Sequence, residues 1–242
     1  MEFFADWHIH STYSDGRGTI EENVLAALAK GLKEIAITDH GPNNIGVGVD
    51  NLQAYTRIQE EVLAVNQKCP EITVKTGAEA NIIALDGSID IPYKVMNLLD
   101  ILIVGLHPYV YPSTANGGWS FVGLNQLARF SRSARDKARV NNTKTLKEAV
   151  ARNDVDFISH PNLGMPVDIA ELGEVCATYE TALEINTGHH YDKEVVISQA
   201  LKTGVKFVVN SDAHFPETVG ELSSGGILLE KYNIPKERVL NA

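Results

Sequence analysis

The chain has 242 residues and a mass of 26.4 kDa, with 44% apolar and 21% charged residues, enough for one domain with a substantial core. Its formal net charge of −10 repels phosphate backbones, which argues against a broad nucleic-acid-binding face but not against a small phosphorylated substrate at a locally positive site. Cys69 and Cys176 lie far apart without a Cys-x-x-Cys pair, and no signal-peptide pattern or apolar run of about 18 residues is present, so neither a disulfide framework, a zinc finger nor a membrane span is suggested and a cytoplasmic protein is expected.

In chain order, runs rich in Ile, Val, Phe or Leu fall at 3–10, 34–40, 72–81, 100–107, 156–161, 182–187 and 206–214, the pattern of strands buried on both faces of a parallel sheet. Helix-like segments separate them. Thr19 and Glu22 form a capping box ahead of "IEENVLAALAK", and Gly31 stands where a left-handed C-cap belongs. Leu52, Tyr55, Ile58, Val62 and Val65 keep helical spacing until Pro70 stops the run. After the fourth strand, residues 108–142 are too long for a minimal connection, and the Gly-, Pro- and aromatic-rich first half is expected to shape a pocket. Thr145 and Glu148 suggest a second capping box before "LKEAVAR", and Gly204 closes "EVVISQALKT". No repeat or linker interrupts the alternation. The reading is one α/β domain over residues 1–242, a barrel of about seven strands.

Active sites of parallel α/β barrels lie at the C-terminal ends of the strands, and that is where the polar residues of this chain collect. Strand one ends in His8 and His10, with Asp15 beyond; strand two in Asp39 and His40; strand three in Glu79. His107 and His160 end strands four and five, Glu184 and Asn186 end strand six ahead of His189 and His190, and Asp212 and His214 end strand seven. A single histidine of this kind is ordinarily a core residue bonded to backbone. Six of the 8 histidines at one rim indicate a metal site instead, with too many ligands for one ion. Imidazoles and carboxylates without cysteine suit Zn²⁺, Mn²⁺ or Fe²⁺. Alternate positions on a strand point to one side, so His8 and His10 both face inward, and a carboxylate such as Glu79 can bridge two ions. Two or three divalent ions are expected; three would outweigh the negative charge of Asp15, Glu79 and Asp212 and draw a phosphate into an acidic protein.

The motifs "HIH", "TDH", "GAEAN", "GLH", "ISHP" and "NSDAH", in this order over residues 8–214, resemble those of the PHP (polymerase and histidinol phosphatase) family. "GAEANIIALDGSID" further resembles the family's small stand-alone bacterial phosphatases, and "IPKERVLN" (234–241) its C-terminal helix. The resemblance implies a distorted seven-stranded TIM-like barrel with a trinuclear centre. By motif, His8, His10, Glu79 and Asp212 would hold one metal, Glu79 with His107 and His160 a second, and Asp15, His40 and His214 a third. Position 15 is histidine in some relatives.

The expected chemistry is hydrolysis of phosphate monoesters of small metabolites by a metal-bridging hydroxide, with Glu79, Asp212 and His214 as the catalytic carboxylates and imidazole. Arg17, just past Asp15, and His189 are the expected substrate contacts. Arg129, Arg132, Arg135 and Arg139 share one face if 123–140 is a helix, and read as a solvated basic stripe. No Gly-x-Ser-x-Gly motif supports a serine nucleophile, and "GVGVDN" reads as an ordinary loop. The rivals are a phosphodiesterase or nuclease of the same family, a metal amidohydrolase, and a non-catalytic metal-stabilised module. The acidic surface disfavours the first, the Asp-x-His after strand seven and Glu79 the second, and the full set of nine ligand positions the third. A homo-oligomer is compatible with the sequence.

Overall fold

The computed structural model describes residues 1–114 and 122–242. Seven strands, β1 (Ala5–Ile9), β2 (Glu34–Ile37), β3 (Thr73–Asn81), β4 (Ile101–Gly105), β5 (Phe157–Ile158), β6 (Ala182–Asn186) and β7 (Phe207–Asn210), form one parallel sheet in sequence order. Among the described residues the intervening α-helices are α1 (Ile20–Ala29), α2 (Ala54–Lys68), α3 (Tyr93–Met96), α4 (Leu124–Leu127), α5 (Arg132–Arg152), α6 (Ile169–Thr178), α7 (Lys193–Ala200) and α8 (Ser223–Lys231).

The sheet curls into a nearly closed barrel whose first and last strands meet through side chains as much as through backbone. Just past the strands, His10 N donates to Ala213 O at 2.9 Å and Ala213 N to His8 O at 3.2 Å. Lower on the seam, the buried amide of Asn241 fills the gap: it donates to Ala5 O at 2.8 Å and Val209 O at 2.6 Å and accepts from Val209 N at 3.1 Å. Asp6 on β1 accepts from the Ser211 amide and hydroxyl and from Gly220 N, so the loop after β7 is fastened to β1. Ala36, Ile101, Ile103, Phe157, Ala182 and Val208 fill the bore, and the larger apolar core lies outside, between strands and helices. A bore plugged at its lower end leaves its polar end free to be a site.

Several local signals form as the residues dictate. Glu22 N donates to Thr19 Oγ1 at 3.2 Å while Thr19 N donates to Glu22 Oε2 at 2.8 Å, the expected capping box. Gly31 and Gly204 have φ of 79° and 77°, and α2 stops at Lys68, before Pro70. Other expectations are corrected. Thr145 and Glu148 lie inside α5, whose cap is Ser131; Thr145 is buried and its hydroxyl faces Leu85 O at 3.4 Å, because a tertiary partner has replaced the local one. The 123–140 helix is broken at Ser131, which separates Arg129 from the arginines of α5. The fifth strand has two residues rather than the span 156–161, and the last stops at Asn210 because the chain leaves the sheet to cross the seam. Instead of a helix over 234–241 there is a single 3₁₀ turn, Lys236–Arg238, then a bridge from Val239 to Phe207 and a turn that brings Asn241 to the seam. The Gly-rich part of the 108–142 connection, 115–121, lies outside the described residues.

Candidate metal centre

All nine sequence-predicted ligand positions converge at the C-terminal rim of the barrel. Glu79, at the centre, comes from the interior of β3 and has no exposed surface. Its Oε1 lies 2.9 Å from His160 Nε2 and 3.3 Å from His107 Nε2, and accepts from Ser159 Oγ at 2.6 Å. Its Oε2 faces His40 Nδ1 at 2.8 Å, His8 Nε2 at 3.4 Å and His10 Nε2 at 3.7 Å. Gly105 makes this approach feasible: a Cβ there would stand 2.6 Å from Ser159 Oγ and 3.0 Å from Glu79 Oε1.

His8 Nε2, His10 Nε2, Glu79 Oε2 and Asp212 Oδ1 form a compact set. His8 and His10 are 3.2 Å apart, and Asp212 Oδ1 is 3.4 Å from His8 and 3.0 Å from His10. With the Glu79 contacts of 3.4 and 3.7 Å, five edges of a tetrahedron fall between 3.0 and 3.7 Å. Four ligands around an ion about 2.0–2.1 Å away are separated by about 3.4 Å, so the donor set matches a tetrahedral ion in size and in chemistry. A second group, His10, Asp15, His40 and His214, and a third, His40, Glu79 and His107, also offer donor atoms within 4.8 Å of one another. The grouping differs from that implied by the motifs, since His10 and His40 each face two groups. Despite these short contacts, Glu79 Oε2, His10 Nδ1, His40 Nδ1 and both ring nitrogens of His107 are buried without a well-aligned hydrogen bond among the described residues, as ligand atoms aimed at cations would be.

A surrounding set of hydrogen bonds aims these donors. Glu184 Oε1 accepts from His8 Nδ1 at 2.8 Å and Asn210 Nδ2 at 3.0 Å; its Oε2 accepts from His160 N at 2.7 Å and Asn186 Nδ2 at 3.1 Å. With Nδ1 of His8 donating, its Nε2 lone pair points into the cluster. Asn186 also donates to Asp212 Oδ2 at 2.9 Å. Asp39 accepts from Ser11 N at 2.8 Å and from the hydroxyls of Ser11 and Ser14, which fixes the loop carrying Asp15. Asp212 and His160 have φ of 52° and 27°, left-handed conformations that cost on the order of 1–3 kcal/mol each and persist only where surrounding contacts hold them.

The charge balance is the one multiple carboxylates and imidazoles impose on each other. Burial disfavours ionised Glu79, yet His107, His8 and His40 outweigh it and hold its carboxyl well below the usual range. Burial likewise opposes ionised Asp212, and His8 and His10 outweigh it. Asp15, half-buried, is lowered to about 2: His214, His10 and His40 overcome its desolvation. Burial also works against a charged His214, but Asp15 and Asp212 raise it to about 9. His107 is pushed down to about 4 by burial.

Above the cluster is a chamber of about 400 Å³, whose walls include Tyr109, Arg129, Leu163 and His189. Part of its rim is rigid because the loops after β2 and β4 pair through Ile45 N to Tyr109 O and Tyr111 N to Asn43 O, both 2.9 Å. His189 Nε2 lies 3.1 Å from Asp212 Oδ2, so this expected contact is at the site. Arg17 is not: its amide donates to His214 O at 2.7 Å, but its side chain is exposed and the chamber is walled without it. Arg129, read from sequence as part of a solvated stripe, is exposed as well but is among the residues lining the chamber. Glu184 stood out in the sequence as a carboxylate at a strand end, two residues before Asn186, but its service to His8 is a contact across 176 residues.

Known proteins resemble this chain in sequence and in fold. A "Probable phosphatase" of Caldanaerobacter subterraneus subsp. tengcongensis is 31% identical over 100% of this chain and 88% of its own length. Another, from Citrobacter koseri, is 30% identical over 98% and 89%. The crystal structure of histidinol phosphate phosphatase from Lactococcus lactis subsp. lactis, complexed with zinc, L-histidinol and phosphate, shares the fold with a TM-score of 0.66 at 18% identity, covering 94% of this chain and 92% of that one. The PHP domain family matches residues 6–214, and the chain belongs to that family.

Proposed function

We propose that the chain is a phosphoric ester hydrolase, and within that class a metal-dependent phosphatase acting on monoesters of small metabolites. The observation that carries this reading is the tetrahedrally spaced set His8, His10, Glu79 and Asp212, of which Asp212 borders a chamber of about 400 Å³. The names of the two curated relatives are consistent with it.

His8, His10, Glu79 and Asp212 would hold one ion, Glu79 with His107 and His160 a second, and Asp15, His40 and His214 a third, with Zn²⁺, Mn²⁺ or Fe²⁺ suited to these donors. Bound divalent ions supply Lewis acidity toward phosphoryl oxygens and an acidified water as nucleophile. The protein's own part is to hold that geometry. Glu184 keeps the His8 ring in one tautomer, Asn186 orients Asp212, and Ser159 orients Glu79, so little reorganisation is needed when charge develops at phosphorus. Arg129, on the chamber wall, would contact the phosphoryl group, and His189, beside Asp212, would contact the ester oxygen. The dimensions of the chamber favour a small ester over a long strand, and a cytoplasmic setting suits such a substrate.

The test is turnover of p-nitrophenyl phosphate against bis(p-nitrophenyl) phosphate after reconstitution with Zn²⁺ or Mn²⁺, with Asp212→Ala as the control for contaminants. Faster monoester hydrolysis, lost in that variant, is the expected result. Faster diester hydrolysis would move the assignment to the phosphodiesterases.

A further inference from the structure

The chamber does not end at its arginine. A second hollow of about 330 Å³ adjoins it, and the two share Arg129 and Gly164 as wall residues. Arg135, Asn162 and Pro166 complete much of the outer one. Among the described residues its walls include two arginines and no acidic residue, in a protein with a formal net charge of −10.

Neither arginine has a carboxylate partner among the described residues. Arg139 pairs with Asp168, Arg152 with Asp86, and Arg238 donates to the carbonyls of Leu201 and Val205, while Arg17 and Arg132 are unpaired like Arg129 and Arg135 but line neither hollow. The segments that carry Arg129 and Arg135 are firmly built. The buried amides of Asn125 and Asn142 bond to each other in both directions, at 3.1 and 2.9 Å, and Asn142 also donates to Pro166 O at 3.0 Å. These bonds tie α4, α5 and the loop after β5 together. Two exposed arginines beside one hollow, neither paired with a carboxylate among the described residues, suit a planar or tetrahedral anion.

We propose that Arg129 and Arg135 form a second anion subsite, so that the substrate of the proposed phosphatase carries a further anionic group, carboxylate or phosphate, beyond the phosphoryl group at the metal centre. The inference rests on the reading given under Proposed function for its orientation: the reacting phosphate lies in the inner chamber and the second anion in the outer. Arg129, which borders both, contacts either group, whereas Arg135 belongs to the outer hollow alone.

Binding of non-hydrolysable phosphonates to the zinc-loaded protein tests this without turnover. Titration calorimetry compares phosphonocarboxylates with alkylphosphonates of the same chain length, from three to six carbons. At one length the carboxylate-bearing ligand is expected to bind about tenfold tighter, the scale of one charge-assisted hydrogen bond. Arg135→Gln, a change on the exposed face of α5, should bring it down to the level of its alkyl counterpart. ω-Phosphonoalkyl phosphates of matching length, used as inhibitors, separate a preference for phosphate from one for carboxylate. Equal affinities at every length, a preference that survives Arg135→Gln, or no binding of any phosphonate would overturn the subsite. p-Nitrophenyl phosphate turnover is read separately: a phosphonate preference without turnover keeps the subsite and refutes the hydrolase, and turnover without the preference does the reverse.

Discussion

Glu184→Gln is the substitution whose outcome the geometry specifies most closely. Each oxygen of Glu184 accepts two hydrogen bonds, Oε1 from His8 Nδ1 and Asn210 Nδ2, and Oε2 from His160 N and Asn186 Nδ2. A glutamine of the same shape must place its amino group on one side or the other, and either way two donors meet a donor. If the amino group faces His8, the ring is driven to the opposite tautomer, with its proton on Nε2, the atom aimed at Glu79 Oε2 and Asp212 Oδ1. If it faces His160, the backbone of a residue already at φ 27° loses its acceptor. Losing a hydrogen bond to a charged group costs about 1.5–3 kcal/mol, equivalent to roughly tenfold to hundredfold in affinity, the range seen for partners that orient metal-binding histidines. Chelator competition with Zn²⁺ on the metal-free wild type and variant measures this directly, with circular dichroism confirming the fold. Zinc affinity within twofold of wild type, in a folded variant, would refute the argument that Glu184 sets the His8 tautomer.

Five other expectations follow from particular contacts. Gly105→Ala puts a methyl 2.6 Å from Ser159 Oγ and 2.7 Å from the His107 ring; displacement of Glu79 should weaken metal binding and lower stability by about 1–3 kcal/mol, read from zinc titration and urea unfolding. Asn241→Ala removes three buried hydrogen bonds at the seam and should cost about 2–4 kcal/mol in urea unfolding, whereas a loss below about 0.5 kcal/mol would mean the seam closes without it. Metal uptake should release protons. His214 is raised to about 9, with burial opposing and Asp15 and Asp212 prevailing, so it is charged at neutral pH in the metal-free protein, and zinc affinity should fall as pH is lowered. Calorimetry in buffers of different ionisation enthalpy counts those protons, and a count of zero would contradict the raised histidine. The same shift has a sign for stability. A raised pKa contributes stability in full below the ordinary histidine value and loses it as pH rises through about 9, so the metal-free protein should weaken across that interval. Cys176, buried and pushed up to about 12, should stay unreactive toward a thiol reagent until the protein unfolds, leaving Cys69 to account for any native reaction.

Much of this protein is legible along the chain because the signals are local. Seven apolar runs mark the strands, and the polar residue that ends each one is carried to the same rim by the shared direction of a parallel sheet. His8, His10, Glu79, His107, His160 and Asp212 could therefore be assembled from strand ends alone, and the Thr19 capping box needed only four consecutive residues. What the tertiary structure decided are contacts between residues far apart in sequence. Thr145 and Ser131 carry similar hydroxyls, and only the presence of Leu85 O beside one and solvent beside the other separates a helix interior from a cap. Arg17 was nearer in sequence to a metal-ligand candidate than Arg129, yet it is Arg129, just past a short helix held to α5 by the Asn125–Asn142 pair, that lines the chamber. Asn241 closes a seam with residues 32 and 236 positions away, and no periodicity records such a partnership. Hydrophobic period fixes which face of a segment is buried, but which polar group meets which is set only when the barrel closes.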